Sequence, residues 1–596
     1  MKSDNYKITQ YSVSSILNYV ENSQIAIPEI QRPFVWKGEE VRALIDSLYE
    51  GYPIGYLIVW QNSQVRVRGF GKGGTKKILI DGQQRVTALM AALLGKEVLD
   101  EQYQSCRIRI AFNPLAQTGD ERFAVCDEKH EQDSKWIPDI SIFFRRDFSF
   151  RQFEKEYKEA NSGEDFTPLE ESVDTLKEIV KHQVGVIELS FLLDIDVVSE
   201  IFIRINLQGK PLNQEDFVMS KISVNEEYGG DYIRNCIDYF CHLLREPSFY
   251  QVLQQNETDF FNSEYGQAVA WCQNGEKNLY IPSYADVLKV VLISYFGKVR
   301  IGDLVHLLSG RTGEKKGLTK KEISKKLSEE SFEKLGAGVK AFVCEKNFKG
   351  FQKALKKAGY CCSRLLYSQS VLNYCYAMYL LMDRQGIGEE EKESLLARWM
   401  TMVMLTGHYQ SGGEGTVLKD YANATEEGFA SYLAQIEELK LTEEFYDSIL
   451  PDKFASTTAR TAPFLVYVAT QCARGVHSLY SDVTIEELYK NKTESYQILP
   501  KTYLAKCGYK TREIYGQVAN LTYISKETKD IVKRKAPADY RKKLEEIIGR
   551  ESITASLQEN GLTEKIFTAG EKDVTKILAD RRKQMALEIK EFYKTL

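Results

Sequence analysis

Lys77-Ile78-Leu79-Ile80-Asp81-Gly82-Gln83-Gln84-Arg85-Val86-Thr87-Ala88-Leu89-Met90 is the stretch around which this 596-residue chain is organised. Ile78, Leu79 and Ile80 form an apolar run too short for anything but a buried strand. Gly82 breaks the run with a backbone freedom that other residues lack. From Val86 the apolar residues fall at Val86, Leu89, Met90, Leu93 and Leu94, one face of a helix. Asp81, Gln83, Gln84 and Arg85 therefore stand where a strand hands over to a helix. The amides and dipole of a helix start favour an anion there. Arg85, one turn in, can add a bidentate grip on phosphate. The plainer alternative is a junction with solvated polar residues, and local sequence by itself favours it.

Upstream, Ser12 or Ser14 can cap a helix running to about Asn22. Ile25-Ala26-Ile27 is strand-like, and Gln31-Arg32-Pro33-Phe34-Val35-Trp36 is a polar-aromatic loop. Val41, Leu44, Ile45, Leu48 and Tyr49 share a helix face that ends before Gly51. Tyr56 to Trp60 is a strand. Gly69-Phe70-Gly71-Lys72-Gly73-Gly74 lacks the spacing of a P-loop and carries no phosphate role of its own. Downstream, Arg107 to Phe112 alternates charged and apolar residues, which predicts a half-exposed strand. Residues 145–182 are charged and helical. Val184 to Leu189 is a strand, and Val197, Val198, Ile201, Phe202 and Ile205 line a helix that stops at Gly209 and Pro211. Another helix begins at Asp216.

Residues 1–225 thus mix α and β. Strand signals fade over 226–450, where Val287–Tyr295, Leu365–Met382 and Leu395–Leu405 are apolar-faced helices. A lysine-rich hairpin near Lys315–Lys326 is a solvated helix start, and Gly407 to Gly415 is a polar loop. The expected class is α+β multidomain: an α+β domain at 1–225, an all-helical domain at 226–450, and a small, basic α+β domain at 451–596.

Composition excludes several classes. The chain is 43% hydrophobic and 27% charged with a net charge of -5, so any basic site must be local. Its 11 cysteines have no CxxC spacing and read as reduced core residues of a cytoplasmic protein. Six histidines without HxH or HExxH spacing make a histidine-rich metal site hard to build. The polar N-terminus has no signal-peptide core, and the apolar stretches are interrupted by polar residues, as in buried helices rather than membrane spans. Residues 501–550 depart from the whole, with 13 Lys/Arg against 6 Asp/Glu, a net of +7. That is either a nucleic-acid footprint or a solvated helix face.

Four ordered segments carry a resemblance: Ile27-Pro28-Glu29-Ile30-Gln31-Arg32-Pro33-Phe34-Val35-Trp36, Gly51-Tyr52-Pro53-Ile54-Gly55, Asp81-Gly82-Gln83-Gln84-Arg85, and Ile201-Phe202-Ile203-Arg204-Ile205-Asn206 with Gly209, Pro211 and Leu212. Together they resemble the ParB/sulfiredoxin-like domain of GmrSD-type, modification-dependent (type IV) restriction proteins and the related SspE and BrxU defence proteins. The resemblance implies a domain that binds, and often hydrolyses, a nucleoside triphosphate with Mg²⁺. It places Asp81, Gln84 and Arg85 in the catalytic motif, with Gln31, Arg32, Gly82, Gln83, Arg204 and Asn206 as nucleotide-binding candidates. Arg85 and Arg32 suit phosphates, Asp81 suits a magnesium ion or a water, and Gln84 and Asn206 suit ribose, base or water.

The C-terminal region is similar to the HNH (ββα-metal) nuclease domain of single-chain members. The matching segments are Tyr496 to Leu504, Val518 to Ser525, and Ile531 to Tyr540. That family needs a histidine to activate water and further residues to hold a divalent metal. Here Tyr496 and Gln497 stand where the histidines should be, and Lys529 where the last motif asparagine belongs. Only Asn520 survives. The expectation is a degenerate nuclease-like domain that has lost cleavage by the usual route and binds DNA, modified or phage-derived, through Lys501, Lys533, Arg534 and Lys535. Two alternatives stay open: an active modification-dependent endonuclease drawing on ordinary acids such as Asp452, Asp482 or Glu494, and a non-catalytic, nucleotide-gated interaction protein. A protein partner in a defence system and self-association are also left open, and no membrane is expected.

Overall fold

The structure, a computed structural model, describes residues 5–596 apart from 23, 27–35, 63–75, 100–104, 118–119, 194–196, 199–200, 202–213, 311–319, 534 and 569–572. The chain divides into two compact units, Met1–Asp231 and Tyr232–Leu596. Among the described residues the first is α+β, and the second is helical apart from one two-residue strand pair.

In the N-terminal unit, β1 (Tyr6–Ser12), β2 (Ile25–Ala26), β3 (Tyr56–Asn62), β4 (Lys76–Asp81) and a later strand, Gln183–Leu189, build a five-stranded mixed sheet. From one edge the order is β1, Gln183–Leu189, β3, β4, β2. Gln183–Leu189 runs antiparallel to β1 and parallel to β3, with Tyr56 opposite Gly185 and Trp60 opposite Leu189. β3 and β4 are antiparallel, and a bulge between Ile58 and Val59 sets Asp81 opposite Ile58.

Three helices cover one face of the sheet. α1 (Val13–Glu21) is capped by Ser12, whose hydroxyl accepts the Ser15 N–H at 3.1 Å. α2 spans Gly38–Tyr49, and Gly51 follows it in the left-handed region at φ +73°. α3 (Gln83–Leu94) starts from Gly82 and ends at Gly95, both with positive φ. Val13, Ile16, Val41, Ile45, Val86 and Leu89 from these helices pack on Leu57, Val59, Leu79, Val184 and Val186 of the sheet. The opposite face is apolar too, carrying Ile58, Trp60, Ile78 and Leu189 with Leu193 and Val198. This explains the unbroken Ile78-Leu79-Ile80 run, because a central strand covered on both faces needs no alternation.

One expectation changes here. The charged-apolar alternation of Arg107 to Phe112 predicts a half-exposed strand, but the strand is only Ile110–Phe112 and is fully buried. It pairs with Phe123–Val125, and Phe112 stacks on Phe123 at 5.2 Å between ring centres. Arg107 lies before the strand and binds the Ala91 carbonyl and Asp139, at 2.8 and 2.6 Å. Its charge serves the end of α3 rather than an exposed strand face.

The second unit is built on long helices, among them Tyr284–Phe296, Lys320–Val343, Glu345–Lys357, Gln369–Arg384 and Glu389–Thr406. The predicted polar loop at Gly407–Gly415 is shorter than its composition suggests. A helix begins at Gly413 and runs to Glu427, buried through Val417, Tyr421 and Ala424. The lysine-rich segment falls largely on 311–324, whose side chains lie outside the described set; the helix containing its end is Lys320–Val343. Residues 226–450 and 451–596 lie together in this unit apart from its first few residues. Two short antiparallel strands, Tyr496–Gln497 and Leu521–Thr522, precede the helix Lys526–Val532.

Candidate functional site

Asp81 closes β4 and Gly82 turns the chain into α3. Gly82 sits at φ +94°, and a Cβ there would lie 2.2 Å from Leu57 Cδ2, so both the turn and the contact require glycine. Across the turn, Arg85 Nη2 donates to Asp81 Oδ2 at 2.9 Å. Arg85 Nη1 donates to the Ile54 carbonyl, also at 2.9 Å. Ile54 belongs to the Gly51–Gly55 segment, and Gly55, at φ +87°, would place a Cβ 2.7 Å from Arg85 Nη1. One guanidinium thus joins two of the segments singled out in the sequence. The Arg85 and Asp81 side chains keep 19% and 21% exposure, so the pair lies at a surface rather than in the core. Gln83 Nε2 donates to the Leu79 carbonyl at 3.3 Å, and Gln84 is half-buried on the first turn of α3. Gln31, Arg32, Arg204 and Asn206 lie outside the described residues.

A second polar cluster was not anticipated. Glu188 follows Val184 and Val186 on the helix-covered face and is 2% exposed. It takes bonds from Lys77 Nζ at 2.6 Å, Lys7 Nζ at 2.9 Å, Gln61 Nε2 at 3.0 Å and the Tyr11 hydroxyl. Burial would raise its pKa, but the bonds from Lys77, Tyr11 and Lys7 outweigh burial and bring it to about 2. Lys77 is the second residue of β4 and Asp81 its last, so the two clusters stand about 13 Å apart toward opposite ends of one strand. The signal in the sequence was a charge on the buried side of an otherwise apolar strand, at Glu188 and again at Lys77.

The C-terminal residues divide into scaffold and surface. Asn520 is fully buried; its Nδ2 donates to the Leu499 and Tyr515 carbonyls at 2.9 and 3.0 Å, and its Oδ1 accepts the Leu499 N–H at 2.9 Å. Gln497 Nε2 donates to the Tyr515 carbonyl at 3.2 Å and its Oε1 accepts the Lys501 N–H at 3.2 Å. The Tyr496 hydroxyl donates to the Lys533 carbonyl at 2.9 Å. Lys533 itself has φ +46°, a conformation costly for a residue with a Cβ. Arg581, buried, donates to the Ala519 and Leu521 carbonyls at 2.6 and 2.8 Å. These polar side chains are therefore engaged in holding backbone. Lys501, Lys529, Lys533 and Lys535 are exposed, as are Asp452, Asp482 and Glu494, and Arg534 lies outside the described residues. Among the described residues, no group of three or more His, Cys, Asp or Glu side chains is placed to hold a metal ion. Among them, too, no helix is long and apolar enough to cross a membrane.

Residues 13–223, which include the Asp81–Arg85 junction, match the family model of the GmrSD restriction endonuclease N-terminal domain. The N-terminal unit is a GmrSD-type domain. Its match covers all five sheet strands except β1, together with α1, α2 and α3. The GmrSD-type domain marks the chain as a restriction or defence-type protein. No match to a curated protein was found.

Proposed function

We propose that the GmrSD-type domain binds a nucleoside triphosphate at the Asp81–Arg85 junction and hydrolyses it, and that the C-terminal region binds DNA without cutting it by the HNH route. What carries the first half is the bonded pair Asp81–Arg85 at the start of a helix, one-fifth exposed and backed by the Ile54 carbonyl. A guanidinium has five N–H donors, so Arg85 can bind Ile54 and still present N–H groups to a phosphate. The start of α3 adds its own preference for an anion. Asp81 offers one carboxylate, which suits Mg²⁺, an ion that keeps several waters and takes its other ligands from substrate phosphates. When bound, the ion would neutralise phosphate charge; Arg85 would orient the phosphates, and Gln84 would hydrogen-bond the nucleotide or a water. Gln31, Arg32, Arg204 and Asn206 are further candidates for the same nucleotide.

The second half rests on Tyr496 and Gln497 standing where the histidines are expected, and on the engagement of Tyr496, Gln497 and Asn520 with backbone groups. Lys501, Lys533 and Lys535 supply exposed positive charge for phosphates. Titration calorimetry of the full chain with triphosphates and Mg²⁺ tests the first half, with Arg85→Ala expected to abolish binding. Incubation with plasmid and modified phage DNA plus Mg²⁺ or Mn²⁺ tests the second, with retarded but uncut DNA expected. Absence of triphosphate binding overturns the first half, and metal-dependent nicking of either DNA by the full chain overturns the second.

A further inference from the structure

Two cysteines 111 residues apart in sequence meet within the second unit. The helix Glu345–Lys357 ends in a Schellman turn: Gly359 N–H bonds the Lys356 carbonyl at 2.9 Å, and Tyr360 N–H bonds the Leu355 carbonyl at 3.1 Å. Gly359 has φ +90°, and a Cβ there would lie 2.0 Å from the Ala469 carbonyl oxygen. Only glycine allows the turn to lie this closely on the helix Ala462–Ala473. The close approach brings Cys361 Sγ to 3.8 Å from Cys472 Sγ. Cys362, the next residue, is also hydrogen-bonded to Cys361. Cys361 and Cys362 are half-buried and Cys472 is buried, so a thiol within reach of a dissolved reagent touches one that is not.

We propose that Cys361 and Cys472 form a reversible disulfide site, oxidised by exchange with a low-molecular-weight disulfide. Cys361 thiolate attacks one sulfur of the small disulfide, forming a mixed disulfide and releasing one small thiolate, which takes up the Cys361 proton. Cys472 then gives up its proton, attacks the Cys361 sulfur and expels the second small thiol. Two protein thiols lose two electrons and two protons, and one small disulfide becomes two thiols. A cystine S–S bond of about 2.05 Å needs the two sulfurs to close by less than 2 Å from where they stand. The bond would tie the 358–366 turn to a helix whose neighbours include Tyr489, stacked edge-on against Tyr523 at 5.4 Å, directly after the strand Leu521–Thr522. Arg364 of the same turn lies over the Tyr489 ring at 4.6 Å. Oxidation would thus fasten the helical middle to the base of the basic C-terminal region.

The site is quiet at neutral pH. The bond from Cys362 lowers the Cys361 pKa, but the contact with Cys472 and burial outweigh it and push the thiol up to about 12. Exchange therefore speeds up with rising pH, as thiolate becomes available.

The full chain is incubated with oxidised glutathione at about pH 8.5, alkylated, digested without reduction and analysed by mass spectrometry. A Cys361–Cys472 cross-link is expected, undone by dithiothreitol and retained in Cys362→Ser. Cys472→Ser should instead trap glutathione on Cys361. The oxidised protein should also unfold at a higher temperature than the reduced one, because a long loop is closed in its unfolded chain. A Cys361–Cys362 link, glutathione on the cysteines without any cross-link, or a lower unfolding temperature on cross-linking overturns the proposal.

Discussion

Arg85 and Asp81, the two charged residues of the motif, are bonded to each other at 2.9 Å across the turn made by Gly82. A second guanidinium nitrogen of Arg85 holds the Ile54 carbonyl. Arg85 therefore has a structural task besides any phosphate it binds. Arg85→Lys keeps the charge but loses the fork that reaches both partners. It should cost about 1–2 kcal/mol of stability and weaken triphosphate binding at least tenfold. Arg85→Ala should abolish binding. Urea unfolding and calorimetry on the same preparations separate the two effects.

Glu188 makes the N-terminal unit sensitive to acid. Its pKa is depressed to about 2, against an ordinary value of 4.5, because bonds from Lys77, Tyr11 and Lys7 outweigh burial. A depressed carboxylate stabilises the fold above its unfolded pKa, and that stability drains as pH falls toward the folded pKa. Unfolding free energy should therefore fall from about pH 4.5 to about pH 2. Glu188→Gln should flatten this slope, read as the urea midpoint at successive pH values. Glu188→Ala should cost about 3 kcal/mol at pH 7, since it strands Lys77 and Tyr11 around a cavity.

Glu588 acts with the opposite sign. It is 4% exposed, and burial pushes its pKa up to about 7 although Arg474 and Arg581 pull it down. A raised carboxylate contributes stability that is complete below its unfolded pKa and is lost as pH rises through the folded one. The second unit should lose stability between about pH 4.5 and 7. Glu588→Gln should remove that slope and raise the unfolding temperature at about pH 8. Differential scanning calorimetry across this range gives the comparison.

Asn520 is a scaffold residue. Three bonds from its amide hold the backbone of Leu499 and Tyr515. Asn520→Ala removes both Leu499 bonds, while the Tyr515 carbonyl keeps Gln497 Nε2, and should cost about 3 kcal/mol. Asn520→Asp keeps an acceptor for the Leu499 N–H but turns a carboxylate oxygen toward two carbonyls, and should cost at least as much. Limited proteolysis near residues 499–520 should rise in both variants.

Much of the first unit was legible because it is local. The apolar stripe of α3, the Ser12 cap and the glycines at 51 and 82 each depend on neighbours a few residues away. Boundaries failed where packing overrode pattern. Ile110–Phe112 is buried on both sides although its sequence context alternates, and a helix starts at Gly413 in a glycine-rich stretch because Val417, Tyr421 and Ala424 have a core to enter. The Glu188 cluster was not legible, since its partners come from β1, β3 and β4.

The sequence by itself determined the strand–turn–helix at Asp81–Arg85, the mixed first unit, the helical middle, the basic stretch at 501–550 and the absence of the expected histidines. These follow from residue type, spacing and count. Only the tertiary structure decided what the side chains hold. It set Arg85 between Asp81 and Ile54, buried Asn520 against the backbone, and brought Cys361 to Cys472. The physical reason is range. Helix periodicity and glycine turns act over a few residues, whereas a guanidinium, a buried amide or a thiol finds its partner only after distant segments have packed.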